Sequence, residues 1–230
     1  MGHHTLTGNP PVALTLRHSA RARRISLRVS GLDGRVTLTI PRGVSEAEAL
    51  AFARSRADWL RGHLEGRPGQ MAVGIGCDLP VEGEILRIVL GSGRRVQRAP
   101  GQLCVPGPEE SAAARLEGWL KARARDRLAA ASDHYAGLLG RRYTRLTLRD
   151  TRSRWGSCSA SGALSYSWRL ILAPPAVLDY VAAHEVAHLA QMNHSPAFWA
   201  EVARLMPEYE TRRAWLRREG GALHRYRFGN

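Results

Sequence analysis

Residues 184–188 read His-Glu-Val-Ala-His. Histidines four residues apart on a helix lie about 40° apart in azimuth and about 6 Å apart along the axis. Both imidazoles can therefore reach one ion at about 2.0–2.1 Å from each nitrogen. Glu185, beside the first histidine, is placed to take a proton from a metal-bound water during attack on a carbonyl or phosphoryl centre. This is the H-E-x-x-H pattern of zinc hydrolases. His184 and His188 share a helical face with Val177 and Val181, so that face points inward. The bland alternative, two core histidines and a surface glutamate, would be an odd way to fill a core.

A catalytic zinc needs three protein ligands and one open position. His194 lies six residues past His188, the outer spacing of H-E-x-x-H-x-x-G-x-x-H. Gln191 stands at the Gly position of that pattern, so the chain must reverse by another route. Asn193, which tolerates left-handed backbone, precedes His194 and is a candidate for that role. Glu201 and Glu208 are the rival third ligands. Asp179 falls off the ligand face and reads as an exposed acid near a helix start. Arg152 and Arg154 are candidates to grip a substrate carboxylate or phosphate, against a purely structural Arg–Trp stack. Tyr166, Tyr209 and His224 are candidate donors to an oxyanion, and Tyr166 is also placed with the substrate-binding residues. Cys158 reads as a small buried residue rather than an inhibitory thiolate ligand, and Met206 as a core methionine.

The elements that must position these groups follow from periodicity. Ile25, Leu27 and Val29, then Val36, Leu38 and Ile40, alternate with polar residues around Gly31–Gly34, which predicts a hairpin. Ser45 with Glu48 is a capping box opening one helix over about 46–64. Residues 66–108 hold many Gly and Pro with short apolar runs, predicting strands and turns. Glu109–Leu139, without Pro, predicts a long helix stopped by Gly140. Strands are predicted over Leu146–Asp150, Arg154–Cys158 and Leu164–Leu172. Pro174-Pro175 opens the helix that carries the histidines, and Ser195-Pro196 opens the next. A last helix runs from about Glu208 to Glu219 and stops at Gly220-Gly221. The order predicts an α+β fold: an N-terminal β-rich lobe over 1–108 and a region of long helix, small sheet and the histidine-bearing helix over 109–230.

Composition bounds the rest. The 230 residues, 44% apolar and 23% charged, suit a globular chain with a real core and exclude a fibrous repeat or a membrane bundle. Three cysteines without a Cys-x-x-Cys pair argue against a disulfide framework and for a reducing, cytoplasmic setting. No signal peptide or transmembrane stretch is evident, so no membrane partner is expected. The net charge of +14 favours polyanions in general. Residues 1–70 carry 11 Arg against 5 acids, and residues 141–230 carry 14 against 7.

Arg154-Trp155-Gly156-Ser157-Cys158, the Leu170–Pro175 run, Tyr180-Val181, the H-E-x-x-H and Asn193-His194-Ser195-Pro196 with Phe198-Trp199 together resemble the YgjP-like zinc metallopeptidases. The resemblance runs from about Arg21 to Leu216. Val186 stands where the family has Leu. It implies a zincin-like fold, one Zn2+ per chain held by His184, His188 and His194, and Glu185 as catalytic base. A zinc-dependent peptidase acting on peptide or protein is therefore the leading expectation. Some YgjP-like proteins are linked to nucleoside triphosphate pyrophosphatase activity, so a phosphate-ester hydrolase with a nucleotide substrate is the second. A nucleic-acid-associated protein with a zinc site is the third.

Overall fold

The computed structural model describes residues 2–30, 34–65 and 69–229. The chain forms two compact units, Met1–Gln70 and Met71–Asn230.

In the first unit β1 (Gly2–Leu6), β2 (Val12–Ser19), β3 (Ser26–Val29) and β4 (Val36–Pro41) form one sheet in the order β1-β2-β4-β3. The expected pairing is present: β3 and β4 run antiparallel with Leu27 opposite Leu38. The Gly31–Asp33 part of the expected turn lies outside the described residues. Alternation puts Leu14 and Leu16 of β2 and Leu38 and Ile40 of β4 into a buried core.

The single helix expected over 46–64 is two, α1 (Glu46–Ser55) and α2 (Ala57–Glu65). The Ser45 Oγ accepts from the Glu48 N–H at 3.2 Å, so the capping signal is real. At Arg56 the backbone leaves helical geometry (φ −110°, ψ 11°). Leu60 of α2 is buried in the core, while its neighbour Trp59 is 45% exposed.

In the second unit β5 (Met71–Ala72) is followed by β6 (Asp78–Val81), β7 (Glu84–Gly91), β8 (Gln97–Ala99) and β9 (Gln102–Pro106). The last four form a sheet in the order β6-β7-β9-β8. A short 3-10 turn, Glu109–Ser111, leads into α3 (Ala112–Leu139), and Gly140 ends that helix at φ 68°. Leu79, Leu86, Ile88 and Leu103 of the sheet share one core with Leu116, Leu120 and Leu128 of α3. The compact units therefore divide after Gln70, whereas the sequence reading put the lobe boundary at 108. Strands 78–106 bury their apolar side against α3 and belong with it.

A three-stranded sheet follows: β10 (Arg145–Arg149), β11 (Gly156–Cys158) and β12 (Ala163–Ser167), in the order β10-β12-β11. The strand expected over Leu164–Leu172 stops at Ser167, and Trp168–Leu172 turns as a 3-10 helix instead. Four of those five residues are buried, so their continuous apolar run reports burial rather than a strand. Next come α4 (Pro175–Ala187), α5 (Pro196–Leu205) and α6 (Tyr209–Glu219). Gly220-Gly221 does not end the fold. A 3-10 segment, Gly220–Arg225, continues into β13 (Tyr226–Arg227), which pairs in parallel with β5. Arg169 pins this tail. Its Nη1 donates to the carbonyls of Leu223 (3.3 Å) and Tyr226 (2.8 Å), and its Nε and Nη2 donate to the Asp150 carboxylate at 2.7 and 3.0 Å.

Candidate metal centre

The site is built on α4. Pro175 occupies its first turn, where a missing N–H costs nothing. The helix is apolar nearly all round, with Val177, Leu178, Val181–Ala183, Val186 and Ala187 buried, as a helix packed on several sides must be. α4 packs on α3, α5, α6 and β11. His184 and His188 sit one turn apart near its end.

The helix ends at Ala187, and the chain reverses before α5. Two hydrogen bonds organise that reversal. The His188 Nδ1 lies 2.9 Å from the Gln191 carbonyl, to which it donates, leaving Nε2 for the centre. The Ser195 N–H donates to Asn193 Oδ1 at 3.2 Å, and Ser195 Oγ then caps α5 by accepting from Phe198 N–H at 3.4 Å. Asn193 does not use the left-handed backbone that the sequence suggested. Among the described residues Glu82 is the non-glycine with positive φ. Asn193 works through its side chain instead.

This reversal delivers His194. Its Nε2 stands 3.1 Å from the Nε2 of His184, and one nitrogen from each of His184, His188 and His194 lies within 4.8 Å of the others. Two nitrogens bound to one tetrahedral ion are about 3.3 Å apart, so the spacing suits an ion of zinc's size. The rival ligands are engaged elsewhere: Glu201 pairs with Arg204, and Glu208 with Arg212. Among the described residues the three histidines are the group able to hold a metal.

The environment of His184 and His188 favours the neutral imidazole, the form that ligates. Burial pushes His184 down to about 3, aided by His188, His194 and Arg213. Burial also lowers His188, with partial opposition from its bond to Gln191. Beneath all three lies Phe198, fully buried, with ring centroids 4.9, 4.4 and 4.8 Å from His184, His188 and His194. Trp199 lies 5.6 Å from His184 and 5.8 Å from His194, and the Arg213 guanidinium sits 4.2 Å over its ring. The role of Phe198 as the common floor of the histidines depends on the reversal.

Glu185 is 5% exposed and faces a cleft of about 420 Å³. Burial raises its carboxyl to about 8, against the lowering charge of Arg154. Arg154 lines the same cleft, whereas Arg152 is exposed beside Asp150 and is not part of the cleft wall. Tyr166 is a correction. It is 1% exposed, faces inward from β12, and shares a hydrogen bond with Ser132 Oγ at 3.1 Å, so it has no access to substrate. Tyr166 stands opposite Gly156 in the antiparallel pair and so shares its face, but it is buried against Ser132 of α3 rather than open to the cleft. Tyr209 stacks between Tyr180 and Trp199, and His224 stacks on Trp155 at 5.0 Å. The hydroxyl that sequence reasoning passed over is Tyr180, which lines the cleft. Burial holds it protonated, pushing it to about 12. Its position four residues before His184 on the ligand face was the signal.

Cys158 is half-buried in the cleft wall. Burial and then the charge of Glu185 push its thiol up to about 11, and it is not part of the group able to hold a metal. Met206 packs against the core. Asp179 is half-buried rather than exposed, and its carboxyl, raised by burial, feels Arg127 and His134 of α3. Cys77, Cys104 and Cys158 are all free thiols. No helix among the described residues is long and apolar enough to cross a membrane.

Two histidines one turn apart, a glutamate between them and a third histidine from the next turn define a metal-dependent hydrolase centre. The sequence matches the YgjP-like, metallopeptidase domain family over residues 23–219, and the chain belongs to that family. It is thus a metallopeptidase, with peptide or protein as its substrate class. No curated relative matches the chain. Among solved structures, the metallopeptidase zymogen abylysin of Pyrococcus abyssi is similar at 21% identity, with a TM-score of 0.36, over 39% of this chain and 93% of that one.

Proposed function

We propose that the protein is a zinc-dependent peptidase in which His184, His188 and His194 hold the ion and Glu185 is the general base. The observation that carries this is the convergence of three imidazoles beside a buried carboxyl at the floor of one cleft. Zinc, when bound, supplies the Lewis acid that polarises a carbonyl and the positive charge that favours the carboxylate form of Glu185. Glu185 takes the proton of the attacking water and passes it to the leaving amine. Tyr180, protonated and facing the cleft, donates to the developing oxyanion.

β11 pairs with β12 on one side only and lies at the sheet edge, with residues 154–158 lining the cleft. An extended substrate adds to that edge by backbone pairing, and Arg154 engages a carboxylate near the scissile bond. The matched family is described as a metallopeptidase domain, and nothing in the described site favours a nucleotide or a nucleic acid as partner. The test is cleavage of fluorescently labelled, unfolded casein by wild type and Glu185→Gln at equal zinc content. Glu185→Gln should bind zinc normally and lose turnover by about 10³-fold or more. A variant as active as wild type removes Glu185 from the chemistry.

A further inference from the structure

Gly156, the first residue of β11, lies directly against the turn of α4 that carries Glu185. A Cβ on Gly156 would stand 2.5 Å from Cγ of Glu185, 2.6 Å from its Oε1 and 2.8 Å from its Cδ. Real Cβ atoms essentially never come under 3.0 Å. Three consecutive parts of one side chain are involved, so a small twist of the carboxyl group does not relieve the contact. Gly156 is also not among the glycines with positive φ. An alanine there meets no positive-φ strain, and the nearest atoms it would meet are all Glu185's.

The strand has little room to yield, and Glu185 has room on one side only. Gly156 is registered opposite Tyr166 on β12, and the Ser167 N–H donates to the Trp155 carbonyl at 2.8 Å. Tyr166 and Ser167 are buried, so the strand cannot back away without disturbing the core. On α4, Ala183, Val186 and Ala187 around Glu185 are all 0% exposed. The carboxylate can move only into the cleft.

We propose that Gly156 is a positioning residue: its bare backbone lets the Glu185 carboxylate lie flush against β11 and so fixes where that carboxylate stands relative to the three histidines. This rests on the reading of Glu185 as general base. It adds that the strand offered to the substrate also sets the base in place, so that one strand aligns both reacting partners.

A double-mutant cycle between positions 156 and 185 tests the seat itself and needs no substrate. Gly156→Ala should lower the Tm of the wild type by roughly 2–12 °C, the range for overpacking one methyl. In a Glu185→Ala background, where all three contacted atoms are gone, the same substitution should change Tm by no more than about 1 °C. An undiminished loss in that background would overturn the proposal. On labelled casein, Gly156→Ala should lower kcat by roughly 10²-fold at a similar KM and an unchanged metal content. Full kcat in Gly156→Ala beside an inactive Glu185→Gln would sink the positioning role alone. Full turnover in Glu185→Gln would sink the general-base reading, and the thermal cycle would still decide whether Gly156 seats the side chain.

Discussion

Phe198 offers a quantitative test of how the metal centre is supported. Its side chain is fully buried and its ring lies within 4.9 Å, centroid to centroid, of all three imidazoles. Phe198→Ala removes a core ring at a cost of about 3–5 kcal/mol. For a chain of this size each kcal/mol corresponds to roughly 2–4 °C, so Tm should fall by about 6–20 °C. If packing were the whole role, metal affinity would be untouched. Because the ring also fixes the planes of His188, stacked on it at 25°, and of the two edge-on histidines, zinc affinity should fall about 10–100-fold as well. Phe198→Leu, which keeps much of the volume, should show less than half of each effect. Calorimetry gives the first quantity, and competition against a chromophoric chelator gives the second. A Phe198→Ala protein that melts early yet binds zinc as tightly as wild type would refute the claim that this ring organises the ligands.

Two further predictions follow from the same geometry. His194→Ala should weaken zinc binding by at least about 10²-fold, while Glu201→Gln and Glu208→Gln leave it within about twofold, as read by the same competition assay. Comparable losses in either glutamate variant would relocate the third ligand. Burial acts to raise the Asp150 carboxyl, but the hydrogen bonds and charge of Arg169 outweigh it, and the net shift is downward. The stabilisation is therefore fully present above the unfolded value of about 3.9 and is lost as pH falls through the lower folded value. Asp150→Asn should be less stable than wild type in urea at pH 7 and nearly equal to it at about pH 2. A pH-independent difference would mean that the ion pair does not carry the effect.

The placement of the site residues was legible wherever it depends on local spacing. His184, Glu185 and His188 follow from helical geometry alone, and His194 from its offset, because α4 and the short reversal fix their relation within eleven residues. The hairpin of β3 and β4, the long α3 and its Gly140 stop were readable for the same reason. What failed depended on distant packing. Whether Tyr166 or Tyr180 faces the cleft is decided by the register of β12 and by which side of α4 meets β11, and neither is a local property. The run from Trp168 to Leu172 looked like a strand because burial on all sides erases periodicity. The break at Arg56 left no Pro or Gly to mark it. The contact of Gly156 with Glu185 joins residues 29 positions apart and is invisible until the strand and the helix are placed together.

Zinc titration of metal-stripped protein, followed by the rate of casein cleavage, tests the central claim most directly. Turnover should be absent without metal, rise linearly with added zinc and level off at one equivalent per chain, as one His3 centre requires. Cleavage by the stripped protein, or a plateau that ignores the zinc stoichiometry, would contradict a peptidase built on His184, His188 and His194.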